Sequence, residues 1–490
     1  MLLSPRTRPR NLPPEPALSR RDNSPSASAP LCASDIARRA PAAVVFLRQS
    51  GARAGRPLAA VTASAEALAL LAFAARRLPA PFFPVDPSLP AETIAALCDR
   101  AGIDLVIGDA PRPGMRNVAA GELLAASKAS KGDPCLRPGS PFWEPSGDIA
   151  LLVATSGSTG QPKAVMLTAA NLVAAAEAGA AVAPLRSGDI WLACLPLFHI
   201  GGFSIIVRTS LAGAGARIHE RFDAGRILAD LRENPVTHLS LVPAMLGRLL
   251  DAEDAPAPKS LRHVLVGGAA LSPELAERAA ARGWPVQPTY GMSETASQIA
   301  TLPSLPRPWR AGFVGRPLPG TEVALDAAGR LKVRGPNVMA GYADAALTPG
   351  DGLEEGWFTS ADLAEIDADG AITILGRADD VIVTGGKKVM PQAVEELLAG
   401  APGVAALAVA GRPDPVWGAI VTAVYSGTAV EAELLAWCRA NIEGAARPRA
   451  AIRVESLPLL ANGKPDRSAL KRLAAGKVVE GNETEAGPRR

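Results

Sequence analysis

From Ala40 onward the chain alternates short apolar runs with longer Ala- and Leu-rich stretches. Val44–Leu47, Pro57–Val61 and Ile103–Ile107 have the length and aliphatic content of buried strands. Ala65–Arg77 reads as a helix, closed by Pro79 just beyond it. The turn segment Pro84-Val-Asp-Pro87 leads to a second helix at Ala91–Ala101. The alternation recurs at Ile149–Ala154, 167–183, Ile190–Cys194 and His263–Val266. Strands and helices in turn with short connections predict a mostly parallel sheet covered on both faces. Beyond about residue 320 the texture changes. Thr321–Leu325, Leu331–Arg334, Leu363–Ile366 and Ala371–Ile374 are short strands parted by Asp and Gly turns, as in antiparallel sheet. After Gly376-Arg377 come strand Val381–Val383, helix Pro391–Ala399, strands Ala405–Ala410 and Ile420–Tyr425, and helix Ala429–Asn441. That is a separate α+β unit of about 100 residues, an ordinary domain size.

The predicted fold class is therefore α/β. A large N-terminal multi-layer α/β domain has its β-sheets packed by helices, and a small mobile α+β domain follows. The expected divisions are a disordered tail at 1–38, the large domain at 39–376, the small domain at 377–474 and a flexible tail at 475–490. The first tail is rich in Pro, Arg and Ser without hydrophobic period, as disordered segments are.

Composition narrows the function. The 490 residues carry a net charge of only +3, and 48% are hydrophobic against 20% charged. Residues 1–40 hold seven Arg and three acids, so the tail is +4 and the remainder −1. The body shows no basic stripe of the kind nucleic-acid binders carry. The five cysteines, Cys32, Cys98, Cys135, Cys194 and Cys438, are odd in number and widely spaced, which speaks for a reducing compartment. The four histidines, His199, His219, His238 and His263, contain no i,i+4 metal pair. The longest apolar stretches, such as Ala67–Ala75, fall short of the roughly 20 residues a membrane helix needs. A cytoplasmic protein is expected, with a homo-oligomer left open.

The most informative segment runs from Leu151 through Thr155-Ser-Gly-Ser-Thr-Gly160 to Gln161-Pro-Lys163. An apolar strand enters a loop of hydroxyl residues and Gly, whose backbone N–H groups can wrap an anion. Lys163 adds a point charge suited to phosphate. The spacing is not that of G-x-x-x-x-G-K-[ST], and Gly385-Gly386-Lys387 fails it too, with Val381 where the first Gly belongs. Gly291-Met-Ser293 is no hydrolase elbow, because Thr295 replaces the last Gly of G-x-S-x-G.

The run Thr155–Lys163 resembles the signature of the adenylate-forming acyl-CoA synthetases. Further likenesses follow in order over about residues 40–472: Gly267-Gly268-Ala269, Tyr290-Gly-Met-Ser-Glu-Thr295, Gly356-Trp-Phe-Thr-Ser-Ala-Asp362, Gly376–Gly386 and Asn462-Gly-Lys-Pro-Asp-Arg467. Each alone is weak; six in sequence are specific. Two departures are small: Ala164 stands where most members have Gly, and Ser360-Ala361 replaces Thr-Gly.

The resemblance implies a two-step ligation. A carboxylic acid attacks the α-phosphate of ATP to give an acyl-adenylate and pyrophosphate, and the thiol of coenzyme A then displaces AMP. It implies that Thr155, Ser156, Gly157, Ser158, Thr159, Gly160 and Lys163 hold the outer phosphates, and that Glu294 ligates Mg²⁺. Gly267, Gly268, Ala269 and Tyr290 would form the adenine side, Gly291 and Thr295 would also bind the nucleotide, and Asp362 and Arg377 would meet the ribose. Lys464 would bridge the attacking carboxylate and the α-phosphate. Asp379 would be the hinge of the small domain, whose Gly385-Gly386 segment would swing in to line the pantetheine tunnel. Plainer readings stand beside these: a solvated Glu294, a core Tyr290, a turn Lys464.

The acid is the finer question. His199, in Leu195-Pro-Leu-Phe-His199, would line or gate the pocket, or simply pack. That run with Ala164, Arg208 and Pro235–Ala244 resembles the branch of the family that activates 2-succinylbenzoate in menaquinone synthesis. This acid is a dicarboxylate, and Arg208 would receive its spare carboxylate unless it faces solvent on its helix. Aryl- or medium-chain acyl-CoA ligation, loading of a carrier-protein thiol, and a nucleotide-binding scaffold without catalysis are the alternatives.

Overall fold

The computed structural model describes residues 31–110, 112, 114–129, 143–155, 162–459 and 465–476. Two seven-stranded sheets organise the large domain. In the first, the order is Leu31–Cys32, Gly215–Ile218, Ile190–Ala193, His238–Leu241, His263–Val266, Val286–Met292 and Ser297–Thr301. In the second it is Gly341–Tyr342, Lys163–Thr168, Ile149–Thr155, Phe82–Val85, Leu58–Val61, Leu105–Gly108 and Arg116–Ala119. The central strands of each are parallel and buried on both faces, which is why they read as unbroken apolar runs.

Side-chain alternation divides the molecule into layers. Leu58 and Ala60 enter one apolar cluster while Ala59 and Val61 enter another. Trp191 and Ala193 face the first cluster, Leu192 and Cys194 a third. The shared cluster is filled by helices Ala33–Gln49, Ala65–Arg77, Ala169–Ala180 and Ile200–Ala212, which lie between the sheets. Helix Ala65–Arg77 is accordingly apolar nearly all round, with ten of its residues buried. Its N-cap Ser64 accepts from the Ala67 N–H at 3.2 Å. Helix Ala91–Arg100 covers the outer face of one sheet. Helices Ala224–Glu233, Pro243–Ala252 and Pro273–Ala281 cover the outer face of the other. The result is five layers, αβαβα.

A six-stranded antiparallel sheet follows, built on Phe313–Gly315, Ile372–Arg377, Trp357–Ile366, Arg330–Arg334 and Glu322–Leu325, with Leu353–Glu354 at the side. The small unit has its own five-stranded sheet and its own core around Val394, Val421, Tyr425 and Leu434. Helix Arg467–Ala474 returns to the junction, where the Lys471 Nζ donates to the Asp379 carbonyl at 3.0 Å and sits 2.8 Å from Asp380. Among the described residues no helix is long and apolar enough to cross a membrane.

Four expectations are corrected or refined. Val44–Leu47 is not a strand but the end of helix Ala33–Gln49. Its buried residues Ile36, Ala40, Ala43 and Leu47 recur with helical period, with Pro41 inside the helix. The tail does not extend to 38: residues 31–38 are strand and helix, with Ile36 buried. The stretch 167–183 begins as strand, because Thr168 caps the helix through a reciprocal pair with Asn171, at 3.0 and 2.9 Å. The boundary expected after 376 falls at the end of strand Ile372–Arg377.

Candidate active site

Strands Ile149–Thr155 and Lys163–Thr168 form a hairpin whose register places Thr155 opposite Lys163 at its mouth. Ser156, Gly157, Ser158, Thr159 and Gly160, between them, lie outside the described residues, as does Lys464. Ala164 is fully buried in the hairpin, so a methyl replaces hydrogen without exposing anything. Gly341–Tyr342 adds a third strand, pairing Tyr342 with Val165. The Lys163 ammonium then lies 4.3 Å from the centre of the Tyr342 ring.

The second wall is strand Val286–Met292, which turns through Ser293–Thr295 and returns as Ser297–Thr301. The turn is tight enough that a Cβ on Gly291 would lie 1.7 Å from the Ser297 carbonyl oxygen, so only glycine fits. Glu294 sits on the turn with its side chain buried. Its Oε1 accepts from the Tyr342 hydroxyl at 3.0 Å. Burial raises the Glu294 carboxyl above its usual range, and the Tyr342 hydrogen bond opposes the rise. One carboxylate beside a phosphate loop is a donor set that fits Mg²⁺, which fills its shell with phosphate oxygens and water. Thr295 was expected among the nucleotide-binding residues. Its buried hydroxyl accepts from the Met292 N–H at 3.2 Å and lies within donating distance of the Met292 and Ser297 carbonyls. It fixes the turn.

Opposite, Asp362 and Arg377 pair across neighbouring strands. The Tyr290 hydroxyl donates to Asp362 Oδ2 at 2.5 Å, and Arg377 stands 3.8 Å from Oδ1. Burial, then the neighbouring Asp362 charge, holds the Tyr290 phenol well above its usual pKa, so it stays a donor. The Ser360 hydroxyl accepts the Asp362 N–H at 3.1 Å, so this departure from the family motif still shapes the loop. Gly267 closes strand His263–Val266 beside Thr289, where a Cβ would come 2.6 Å from the Thr289 carbonyl oxygen. Gly268 takes φ +79° and, with Ala269, is exposed. Tyr290, Glu294, Asp362, Arg377, Lys163 and the 267–269 loop thus line one end of the sheets.

Arg377 also holds Asp379 at 2.8 Å, joining Asp362 to the start of the small unit. Gly385 and Gly386, at φ +55° and +75°, form the two-residue turn of a hairpin on that unit. Gly385 packs against Trp417.

The two residues expected at the acyl pocket lie at helix Ile200–Ala212. His199 is its N-cap, with its ring 4.8 Å from that of Phe198. Arg208 is 8% exposed. It does not face solvent but packs among Leu172, Ala175, Ala176, Ser204, Val207 and Ala296, with no room between them for a water molecule. It donates to the Ser297 Oγ at 3.1 Å and lies 5.4 Å from the Trp191 ring centre. Its Nε has no hydrogen-bond partner, and no carboxylate pairs with it among the described residues. Burial pushes its pKa down to about 10, so it remains a cation at neutral pH. Tyr342 and Ser297 are the residues here that the sequence did not single out. Their role depends on strand pairings between distant segments.

The comparisons with known proteins agree with this fold. The family model described as AMP-binding enzyme matches residues 28–343, and the AMP-binding enzyme C-terminal domain matches 393–464. A 2-succinylbenzoate–CoA ligase of Bacillus cereus is 35% identical over 334 residues, 66% of this chain and 69% of that protein. The o-succinylbenzoate CoA synthetase of Bacillus subtilis, in complex with its acyl-adenylate intermediate, superimposes with TM-score 0.75 at 26% identity, covering 90% of this chain and 92% of that one. The same enzyme with ATP and magnesium ion gives 0.76, also at 26% identity, over 90% and 93%.

Proposed function

The chain belongs to the AMP-binding enzyme family, whose members include AMP-forming acid–CoA ligases, and on that premise we propose that its acid is 2-succinylbenzoate. The observation that carries the proposal is Arg208, a buried guanidinium with no carboxylate partner among the described residues. An unpaired buried cation is costly, and a ligand carboxylate removes the cost. 2-Succinylbenzoate has a carboxylate to spare after the other has reacted.

In the first step an oxygen of the reacting carboxylate bonds to the α-phosphorus and pyrophosphate leaves. Thr155, Lys163 and the loop between them hold the leaving phosphates. Glu294 is the group that would bind Mg²⁺, which supplies charge neutralisation on the phosphates when bound. Asp362, oriented by Tyr290 and Arg377, accepts from the ribose hydroxyls. Lys464 bridges the attacking carboxylate and the α-phosphate. In the second step the coenzyme A sulfur bonds to the acyl carbon and AMP leaves. The small unit turns about Asp379 between steps, bringing Gly385-Gly386 to the thiol path, and His199 gates the acyl pocket.

The test is AMP release with coenzyme A across 2-succinylbenzoate, benzoates and fatty acids. 2-Succinylbenzoate is expected to have the highest kcat/KM. Arg208→Ala should lower that value by about 10- to 100-fold, the loss of a charge-assisted hydrogen bond of about 1.5–3 kcal/mol, and leave benzoate nearly unchanged. An equal loss on the monocarboxylic acid refutes the dicarboxylate reading. Absence of acid-dependent ATP–pyrophosphate exchange with every acid would favour a scaffold.

A further inference from the structure

Lys163 and Glu294 lie on two strand systems that converge on one ring, yet neither makes an ion pair among the described residues. Opposite charges in a part-buried site ordinarily collapse onto each other, and the collapsed pair must be broken before an anion or a metal can bind. Here the phenol of Tyr342 stands in the way. Its face takes the ammonium at 4.3 Å, and its hydroxyl donates to the carboxylate at 3.0 Å. Each charge is satisfied without meeting the other.

The ring is held by main chain on several sides. Tyr342 pairs with Val165, and its N–H donates to the Asp351 carbonyl at 3.0 Å. Gly352, at φ +83°, gives the ring its space: a Cβ there would lie 2.6 Å from Cδ2 and Cε2. The edge strand Gly341–Tyr342 therefore sets where the spacer stands.

We propose that Tyr342 is a positioning residue that keeps Lys163 and Glu294 apart, leaving the first ready for the phosphates of ATP and the second for the metal bound with them. This rests on reading Glu294 as the metal-binding group.

The experiment measures ATP binding to the full chain by calorimetry, without acid or coenzyme A, with Mg²⁺ and with chelator. Thermal melting of each unliganded variant accompanies it. Tyr342→Phe keeps the spacer and loses the hydroxyl, so MgATP affinity should fall about ten-fold while metal-free ATP stays within about two-fold. Tyr342→Leu lets the two charges pair, so metal-free ATP should weaken about ten-fold as well. Adding Glu294→Gln to Tyr342→Leu should restore metal-free ATP binding, which loss of fold would not. The inference is overturned if Tyr342→Phe binds MgATP like the wild type, or if the double variant shows no recovery. The two Tyr342→Phe titrations decide the matter even if the Leu variants fail to fold. Wild-type ATP affinity indifferent to Mg²⁺ would overturn the reading of Glu294, and this inference with it.

Discussion

Tyr290→Phe isolates one contact in the site. The phenol donates to Asp362 Oδ2 at 2.5 Å, and Phe removes only that oxygen. The ring, and any stacking it offers an adenine, stays. A hydrogen bond to a charged group contributes about 1.5–3 kcal/mol, or about 10- to 100-fold in affinity. Asp362 keeps Arg377 at 3.8 Å and is 18% exposed, so water can replace the phenol in the free protein. The loss should lie at the low end, about ten-fold in KM for ATP, with kcat within about two-fold. The assay is acid-dependent ATP–pyrophosphate exchange at saturating acid, with ATP and 2′-deoxy-ATP varied in turn. The wild type should discriminate against the deoxynucleotide, and Tyr290→Phe should discriminate less, because the misplaced carboxylate recognises both sugars poorly. If the variant raises both KM values by one common factor, Asp362 is not the ribose group and Tyr290 does not act through it.

Two further outcomes are expected. His238 is fully buried between the Trp191 and His263 rings, and burial pushes its pKa down to about 4 from the usual 6.5. The unfolded chain therefore takes up the proton first; stability is complete above pH 6.5 and lost as pH falls toward 4, by about 2 kcal/mol between pH 7 and 5. Urea denaturation at both pH values checks this, and His238→Gln should flatten the difference. Gly385→Ala forces a side chain to φ +55° with its Cβ 2.8 Å from Trp417 Cε3. Coenzyme A-dependent AMP release should fall about ten-fold while ATP–pyrophosphate exchange stays within about two-fold, a split that places the hairpin in the second step alone.

What could be read along the chain was whatever local chemistry determined. Helix Ala65–Arg77 was legible to the residue, because Ser64 caps it and every side must be apolar between two sheets. Val44–Leu47 misled because β-branched residues behind a proline look like a strand; only the sheet beneath reveals that Ile36, Ala40, Ala43 and Leu47 share a face. Among site residues, Tyr290, Glu294, Asp362 and Arg377 stood inside recognisable motifs, and the fold brings them together. Thr295 stood inside one too, yet its hydroxyl is consumed by the turn. Motif membership therefore does not separate a residue that meets the ligand from one that shapes the loop. Tyr342 carried no signal, since Gly-Tyr is meaningless until its strand reaches the Lys163 hairpin.

The same distinction governs charge. A net of −1 beyond residue 40 says nothing about affinity for three anions, because affinity depends on how each cation is held. Many described arginines answer a carboxylate, as Arg217 does Asp230 and Arg467 does Glu395. Arg377 belongs with these, fixed between Asp362 and Asp379, and its work is to aim the carboxylate. Lys163 and Arg208 are different. One rests on an aromatic face and the other on a serine hydroxyl and an indole, partners that hold position without cancelling charge. A cation kept in place but left unneutralised binds an incoming anion without first breaking an ion pair. Two such cations, Lys163 and Arg208, are what the proposed ligase would need to hold a nucleotide and a dicarboxylate at once.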